Sequence, residues 1–145
     1  MQGCTCLKTR TLKAESQLRI TLKLNAVFSA ISGLILAVFA EFIGNLIGLD
    51  QNINLMYIGF ALILFATFVF LVALSKTLNK GVVKFIILQD VLWILASILL
   101  LIVSPFSITF TGKILIIGIA LVVADFAYFQ FRFLKIINSL ERNSV

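Results

Sequence analysis

Four long stretches of almost uninterrupted apolar residues are the feature that most limits how this chain can fold. A helix that crosses a bilayer needs about 20 mostly apolar residues, because each residue advances about 1.5 Å through a hydrocarbon layer about 30 Å thick. Four segments of the 145-residue sequence meet this requirement. They predict spanning helices over residues 24–48, 55–74, 83–104 and 114–131.

The composition excludes the other broad classes of protein. Hydrophobic residues make up 61% of the chain and charged residues 12%, whereas a soluble domain has about 45–50% and about 25%. A chain this short cannot bury so much apolar surface in a single core. One proline, eight glycines and two cysteines also exclude a disordered, collagen-like or disulfide-stapled chain. The sequence therefore predicts a small integral membrane protein.

The predicted connections between spans are short, about six to nine residues each, so consecutive helices must run antiparallel. The predicted fold is all-α, a single up-and-down bundle of four transmembrane helices over residues 24–133. A basic N-terminal arm, residues 1–23, precedes the bundle, and a tail, residues 134–145, follows it. The arm mixes leucines with basic residues, which permits either an amphipathic helix in the membrane interface or a plain tether.

Basic residues lie almost entirely on one side of the predicted bundle. Of the 12 Lys and Arg residues, only Lys113 lies on the other side. The positive-inside rule then places both termini in the cytoplasm, in a bacterial inner membrane. The bases are spread over three segments without a recognition motif, so we expect no nucleic-acid binding. A cleavable signal peptide ending at Ala40 is the alternative for the first span, although the basic region before it would be unusually long.

The sequence lacks the residues on which most catalytic and metal sites depend. It contains no histidine, which excludes His-ligated metal centres and nucleophiles activated by histidine. Cys4 and Cys6 are the only cysteines, and two thiols cannot complete a four-ligand zinc site within one chain. They are either candidates for acylation near the membrane or incidental thiols. We therefore predict no enzymatic activity, no metal and no cofactor.

Three carboxylates, Glu41, Asp90 and Asp125, interrupt the apolar spans. An acid within a membrane costs at least about 2.5–3.5 kcal/mol, so each is a candidate functional residue. Asp90 and Asp125 are predicted about 10 Å inside the same boundary on neighbouring helices, where they could face each other and bind a proton or cation. The alternative is local neutralisation, of Asp125 by Arg132 and of Asp90 by Lys84.

Small residues recur at helical spacing along the first predicted span, around Glu41. Such a row allows another helix backbone to approach closely, and Gly59, Ala66 and Ala73 offer an opposing surface on the second span. Two interpretations are open. The row serves only close helix packing, or it also directs Glu41 inward or into an oligomer interface. We call the row the small-residue stripe; it comprises Ser29, Gly33, Ala37, Gly44 and Gly48.

The pattern of these spans also resembles a known group of proteins. A first span marked by Gly and Ala, Gly59 in the second span, and Asp90 followed by Trp93 in the third are similar to small four-helix bacterial membrane proteins, including the DoxX-like families. The resemblance covers most of the spans and implies the four-helix fold. It matches no catalytic motif, so it assigns no functional residue.

These features favour a non-enzymatic membrane protein that acts by helix association, as a homo-oligomer or as an accessory subunit of a membrane complex. Its expected partners are the lipid bilayer and either itself or another membrane protein. The alternative is a small proton- or cation-coupled transporter or channel component that uses the intramembrane carboxylates.

Overall fold

A computed structural model of the protein describes residues 2–48, 55–103 and 108–142, with side chains from residue 9 onward. This part of the chain is helical apart from short connections and contains no strand, so the predicted all-α fold is confirmed. The side chains of Cys4 and Cys6 lie outside the described part. The helices are α1 (Gln2–Val38), α2 (Ala40–Ile47), α3 (Leu55–Leu74), α4 (Lys80–Val103) and α5 (Phe110–Arg142).

Four of these helices are long and apolar enough to cross a membrane. They are the part of α1 over Thr9–Val38, and the whole of α3, α4 and α5. The chain is therefore a multi-pass membrane protein built as a helical bundle. We call the end of the bundle where α1 begins and α5 ends the basic end, and the opposite end the far end.

Two of the helices extend past the predicted spans at the basic end. The predicted boundary after residue 23 falls inside α1, and α5 continues beyond residue 131 to Arg142. With 37 residues, α1 is about 55 Å long. A buried stripe at four-residue spacing explains the extension, because Ala14, Leu18 and Leu22 belong to one core cluster with Leu134 and Ile137 of α5. The predicted arm is thus continuous with the first span and packed along α5.

The first predicted span is not one straight helix. It breaks at Phe39, whose backbone torsions are φ −110° and ψ 29°, and α2 forms a separate short helix after it. No proline or glycine lies at the break, so no local residue pattern indicates it. At the other end of α2, Gly48 has φ 79°, a left-handed conformation that glycine adopts without a Cβ clash.

The long helices are not packed evenly around a ring. α1 lies between α3 and α5, and α4 packs mainly on α5, whereas α3 and α4 make few contacts with each other. The apolar core lies toward the basic end, where Leu22 of α1, Val69 of α3 and Ile86 of α4 are completely buried. Toward the far end, α4 is largely exposed. All four spanning helices therefore meet in one half of the bundle.

The closest helix contact joins α1 to α3 at two glycines. A Cβ atom added to Gly59 would lie 2.6 Å from the backbone nitrogen of Ala37 and 2.7 Å from the carbonyl oxygen of Gly33. A Cβ added to Gly33 would lie 2.8 Å from the carbonyl oxygen of Gly59. These distances leave no room for any side chain, so the two glycines set how closely α1 and α3 approach.

Side chains also join helix ends across the bundle. At the basic end, the Arg19 guanidinium donates hydrogen bonds to the carbonyl oxygens of Ala73, Ser75 and Lys76, where α3 finishes. At the far end, Thr109 accepts a hydrogen bond from the Gly112 backbone N–H in the first turn of α5. Its own N–H and hydroxyl donate to the carbonyls of Ile47 and Leu46, respectively, at the end of α2. These contacts satisfy backbone groups that helix ends leave without partners.

Candidate functional site

A buried carboxylate lies where three of the long helices meet. Asp90 of α4 is only 3% exposed. Its Oδ2 atom accepts a hydrogen bond of 2.8 Å from Asn25 Nδ2 of α1 and one of 3.1 Å from Gln130 Nε2 of α5. Two N–H donors offset part of the cost of placing an acid in an apolar interior.

The hydrogen-bonded group extends along α1. The Ser29 hydroxyl, one turn after Asn25, donates to Asn25 Oδ1 over 3.4 Å. Asn25 and Ser29 are 1% and 6% exposed, on the same face as the buried leucines nearer the basic end. The four-residue spacing therefore turns both polar side chains toward Asp90. We call Asn25, Ser29, Asp90 and Gln130 the polar cluster.

One atom of the polar cluster lacks a partner. Gln130 is completely buried, and its Oε1 is the one buried side-chain oxygen or nitrogen in the described part of the chain that makes no hydrogen bond. An amide oxygen buried without a partner costs about 1–3 kcal/mol. Such an atom beside a carboxylate marks a place where a donor or a cation would be stabilised.

A cavity of about 270 Å³ adjoins the polar cluster. All four spanning helices line it, with Phe28 of α1, Leu62 of α3 and Val123 of α5 among its apolar walls. Its polar lining comes from α1 and α4, and Asp90 is the only acid among the lining residues. Those polar residues, Trp93 included for its indole N–H, are Ser29, Ser32, Gln89, Asp90 and Trp93.

The other two acids of the predicted spans lie elsewhere. Asp125 is exposed on α5, and an offset of five positions from Gln130 places the two on different faces of the helix. Glu41 is exposed in the first turn of α2. Neither takes part in the hydrogen bonds of Asp90. The structure therefore does not bring Asp90 and Asp125 together in one site, the arrangement that their matching predicted depths allowed.

The predicted neutralising bases are also separate from the acids. Lys84 and Arg132 are exposed, and the partners of Asp90 are two amides and not a lysine. Among the described residues, one ion pair forms: Lys80 of α4 pairs with Glu141 of α5 at the basic end.

The small-residue stripe divides into parts with different contacts. Ser29 belongs to the polar cluster, and Gly33 and Ala37 contact Gly59 of α3. Beyond the break, Gly44 lies near α3, because a Cβ added to it would be 3.6 Å from Leu55 Cδ1, and Gly48 ends α2. Most of the stripe thus packs within the chain itself.

Sequence reasoning missed two members of the site, Asn25 and Gln130. Both are uncharged polar residues in otherwise apolar helices, and they lie 65 and 40 residues from Asp90 in the sequence. The available signal was the pairing of Asn25 with Ser29 at four-residue spacing, and the isolation of Gln130 among aromatic residues of α5. Neither signal indicates that the two residues meet at Asp90.

The chemistry that this arrangement can support follows from its atoms. A carboxylate, two amides and a hydroxyl provide oxygen atoms and N–H donors, and no thiol or imidazole belongs to the cluster. Across the described residues, no three Cys, Asp or Glu side chains come close enough together to hold a metal ion. Oxygen atoms of this kind bind protons and hard cations.

Comparisons of the chain with protein-family models, with curated proteins and with solved structures find no match. The resemblance to the DoxX-like families therefore stays a prediction.

Proposed function

We propose that this multi-pass membrane protein binds a proton or a small monovalent cation at Asp90, as a non-enzymatic component of a transporter or channel. The observation that carries the proposal is the buried Asp90, which lines a cavity formed by all four spans and accepts a hydrogen bond from Gln130, whose Oε1 has no partner among the described residues. An acid held inside a membrane bundle is costly, and proteins keep such groups mainly on ion and proton pathways.

The Gln130 amide provides a way to accommodate both states of the site. When Asp90 is ionised, Gln130 Nε2 donates a hydrogen bond to the carboxylate, which is the 3.1 Å contact seen between Nε2 and Oδ2. With a proton on Asp90, the carboxyl becomes a donor, and a half-turn of the same amide presents Oε1 as its acceptor. A bound cation would instead take Oε1 and the carboxylate oxygens as ligands. Gln130 can thus stabilise Asp90 both with and without a bound proton or cation.

Access to the site is expected through the cavity. Oδ1 of Asp90 makes no hydrogen bond to the described residues, while the residue lines the cavity wall. The weak contact between α3 and α4 leaves this side of the bundle the least closed. We propose that the basic end faces the cytoplasm of a bacterial cell, because basic loops favour that side. The site then lies in the cytoplasmic half of the membrane.

Ion flux into vesicles containing the purified protein tests this function. Asp90→Asn removes the charge but keeps the shape and a carbonyl oxygen that accepts from both amides, so the fold is retained. We expect it to lower flux at least tenfold, measured with trapped pH- and sodium-sensitive dyes under a potassium diffusion potential. Glu41→Gln, the same change at an exposed acid outside the site, should leave flux unaltered.

The two dyes identify which cation is carried. Equal flux through wild-type protein and Asp90→Asn would contradict the proposal, and so would wild-type flux no greater than that of protein-free vesicles. Circular dichroism of both variants verifies that the helices are intact.

A second candidate function, association with itself or with another membrane protein, is favoured by Asp125. This acid is exposed on a spanning helix, seven residues or about 10 Å before Arg132. A carboxylate facing lipid costs at least about 2.5–3.5 kcal/mol, a cost that a polar group of a neighbouring chain would remove.

Energy transfer between differently labelled copies in vesicles tests self-association. Asp125→Leu is expected to lower the transfer, and Asp125→Glu to preserve it, because only the second retains a carboxyl group. Identical transfer in both variants and the wild type would contradict a role for Asp125 in self-association. Retained proton or sodium flux in Asp125→Leu would separate this role from that of Asp90.

A further inference from the structure

A groove between α4 and α5 at the basic end is separate from the polar cluster. It has a volume of about 700 Å³. Its α4 wall runs from Lys84 to Val91, and its α5 wall from Phe131 to Arg142. Each wall is one helix stripe, with lining residues at three- and four-residue steps. The Lys80–Glu141 ion pair also joins these two helices near the same end.

The groove changes character along its length. Toward the basic end it is lined by three cations, Lys84, Lys135 and Arg142, none of which forms an ion pair with another described residue. Two further polar side chains, Asn138 and Ser139, lie among them. Deeper in the membrane the lining is apolar: Ile87, Leu88, Val91, Phe131 and Leu134.

We infer that this groove binds one anionic phospholipid. Three cations without an ion pair in the described part of the chain match a phosphate-bearing headgroup, to which Asn138 and Ser139 add hydrogen-bonding groups. The apolar stretch below them runs about 10 Å into the membrane on α4, from Lys84 to Val91, and it fits the upper part of an acyl chain. Cations above an apolar channel suit a lipid better than a soluble anion, which would leave the channel empty.

The inference does not depend on the function proposed for Asp90, because the two sets of lining residues have no member in common. It also differs from general attraction to a charged membrane. Eleven basic residues belong to this end of the bundle, but the groove combines three of them with an apolar channel for one acyl chain. A bound lipid would bridge α4 and α5 and stabilise their contact.

Lipid binding by the full-length protein in detergent tests the inference. The probe is phosphatidylglycerol, titrated into delipidated protein and followed by native mass spectrometry, with phosphatidylcholine as the uncharged comparison. The groove variant carries Lys84→Gln, Lys135→Gln and Arg142→Gln. We expect it to bind phosphatidylglycerol about 100-fold more weakly, since each cation near a membrane surface contributes about fivefold.

Two further variants separate the groove from overall charge. A control with Lys13→Gln, Lys23→Gln and Lys76→Gln loses the same charge at the same end, outside the groove, and should bind within about twofold of the wild type. Leu88→Trp keeps every charge but fills the apolar channel at an exposed position, and should weaken binding.

Three results would overturn the inference. The first is an equal loss of binding in the two triple variants, which would indicate general electrostatic attraction. The second is unaltered binding in Leu88→Trp, and the third is displacement of the lipid by inorganic phosphate at a concentration equal to that of the lipid. The mutated side chains are all exposed, and circular dichroism verifies that each variant is folded.

Discussion

Among single residues, Asp90 differs from the other acids of the spans in what surrounds it. It is buried and bound by two amides, whereas Asp125 and Glu41 are exposed. The sequence singles out Asp90 because a charge in an apolar stretch is costly and rare. It does not single out Asn25 or Gln130, because uncharged polar side chains cost less in a membrane and their partners lie far away along the chain.

The hydrogen bond between Asn25 and Asp90 predicts an energetic coupling between the two residues. We expect Asn25→Ala and Asp90→Ala to show a coupling free energy of about 0.5–2 kcal/mol in a double-mutant cycle, because each removes the same buried contact of 2.8 Å. Unfolding in mixed micelles with increasing SDS gives the four free energies. A control cycle that combines Asn25→Ala with Asp125→Ala, at an exposed acid, should give a coupling free energy near zero. Equal coupling free energies in the two cycles would contradict the prediction.

At the scale of whole helices, packing determines features that hydropathy does not indicate. Hydropathy identifies four spans because each is an apolar segment long enough, as a helix, to cross a bilayer. The extension of α1 and α5 beyond the predicted spans depends on one buried cluster that contains Leu18 and Leu22 of α1 and Leu134 and Ile137 of α5. That cluster joins opposite ends of the sequence, so no local pattern predicts it. The break at Phe39 likewise has no proline or glycine to indicate it.

The contact between α1 and α3 predicts that a single methyl group is destabilising. We expect Gly59→Ala to lower the free energy of unfolding by about 1–3 kcal/mol, because its Cβ would lie 2.6 Å from the Ala37 nitrogen and backbone atoms cannot move aside cheaply. Gly118→Ala is the matched control, since nothing lies within 4 Å of its Cβ position and alanine favours a helix. Equal effects of the two substitutions on unfolding in SDS would contradict this role of Gly59.

The end of α3 depends on a side chain from α1. Arg19→Met keeps an apolar stem but removes the donors to the carbonyls of Ala73, Ser75 and Lys76. We expect a loss of about 1–3 kcal/mol in the free energy of unfolding, and faster amide hydrogen exchange in the last turn of α3. Lys23→Met, an exposed position one turn further along α1, is the control. Unaltered exchange in Arg19→Met would contradict the assigned cap.

At the scale of the whole molecule, the distribution of polar groups gives the bundle two different halves. The basic half has the apolar core and the polar cluster, and the far half has a largely exposed α4. The number of spanning helices and their antiparallel succession follow from the sequence, whereas the order α3, α1, α5, α4 follows from contacts between distant residues. The cavity beside Asp90 follows from that order, because α3 and α4 are left with little contact between them.

The same asymmetry predicts which end of the bundle faces the cytoplasm. The loop between α3 and α4 is flanked by Lys76, Lys80 and Lys84, whereas Lys113 is the one basic residue at the far end. Moving several lysines across a membrane is opposed during insertion, so the loop should remain inside. In a variant with Cys4 and Cys6 replaced by serine, we introduce one cysteine at either of two exposed positions, Thr77→Cys or Thr111→Cys.

A membrane-impermeant maleimide applied to intact bacterial cells then distinguishes the two orientations. Thr111→Cys should be labelled at once, and Thr77→Cys only after the membrane is permeabilised, because the two positions lie at opposite ends of spanning helices. The reverse pattern would place the basic end outside, and equal labelling of both would indicate a mixture of orientations. Either result would contradict the proposed orientation, and with it the position of Asp90 in the cytoplasmic half of the membrane. The contacts of Asp90 with Asn25 and Gln130 would be unaffected.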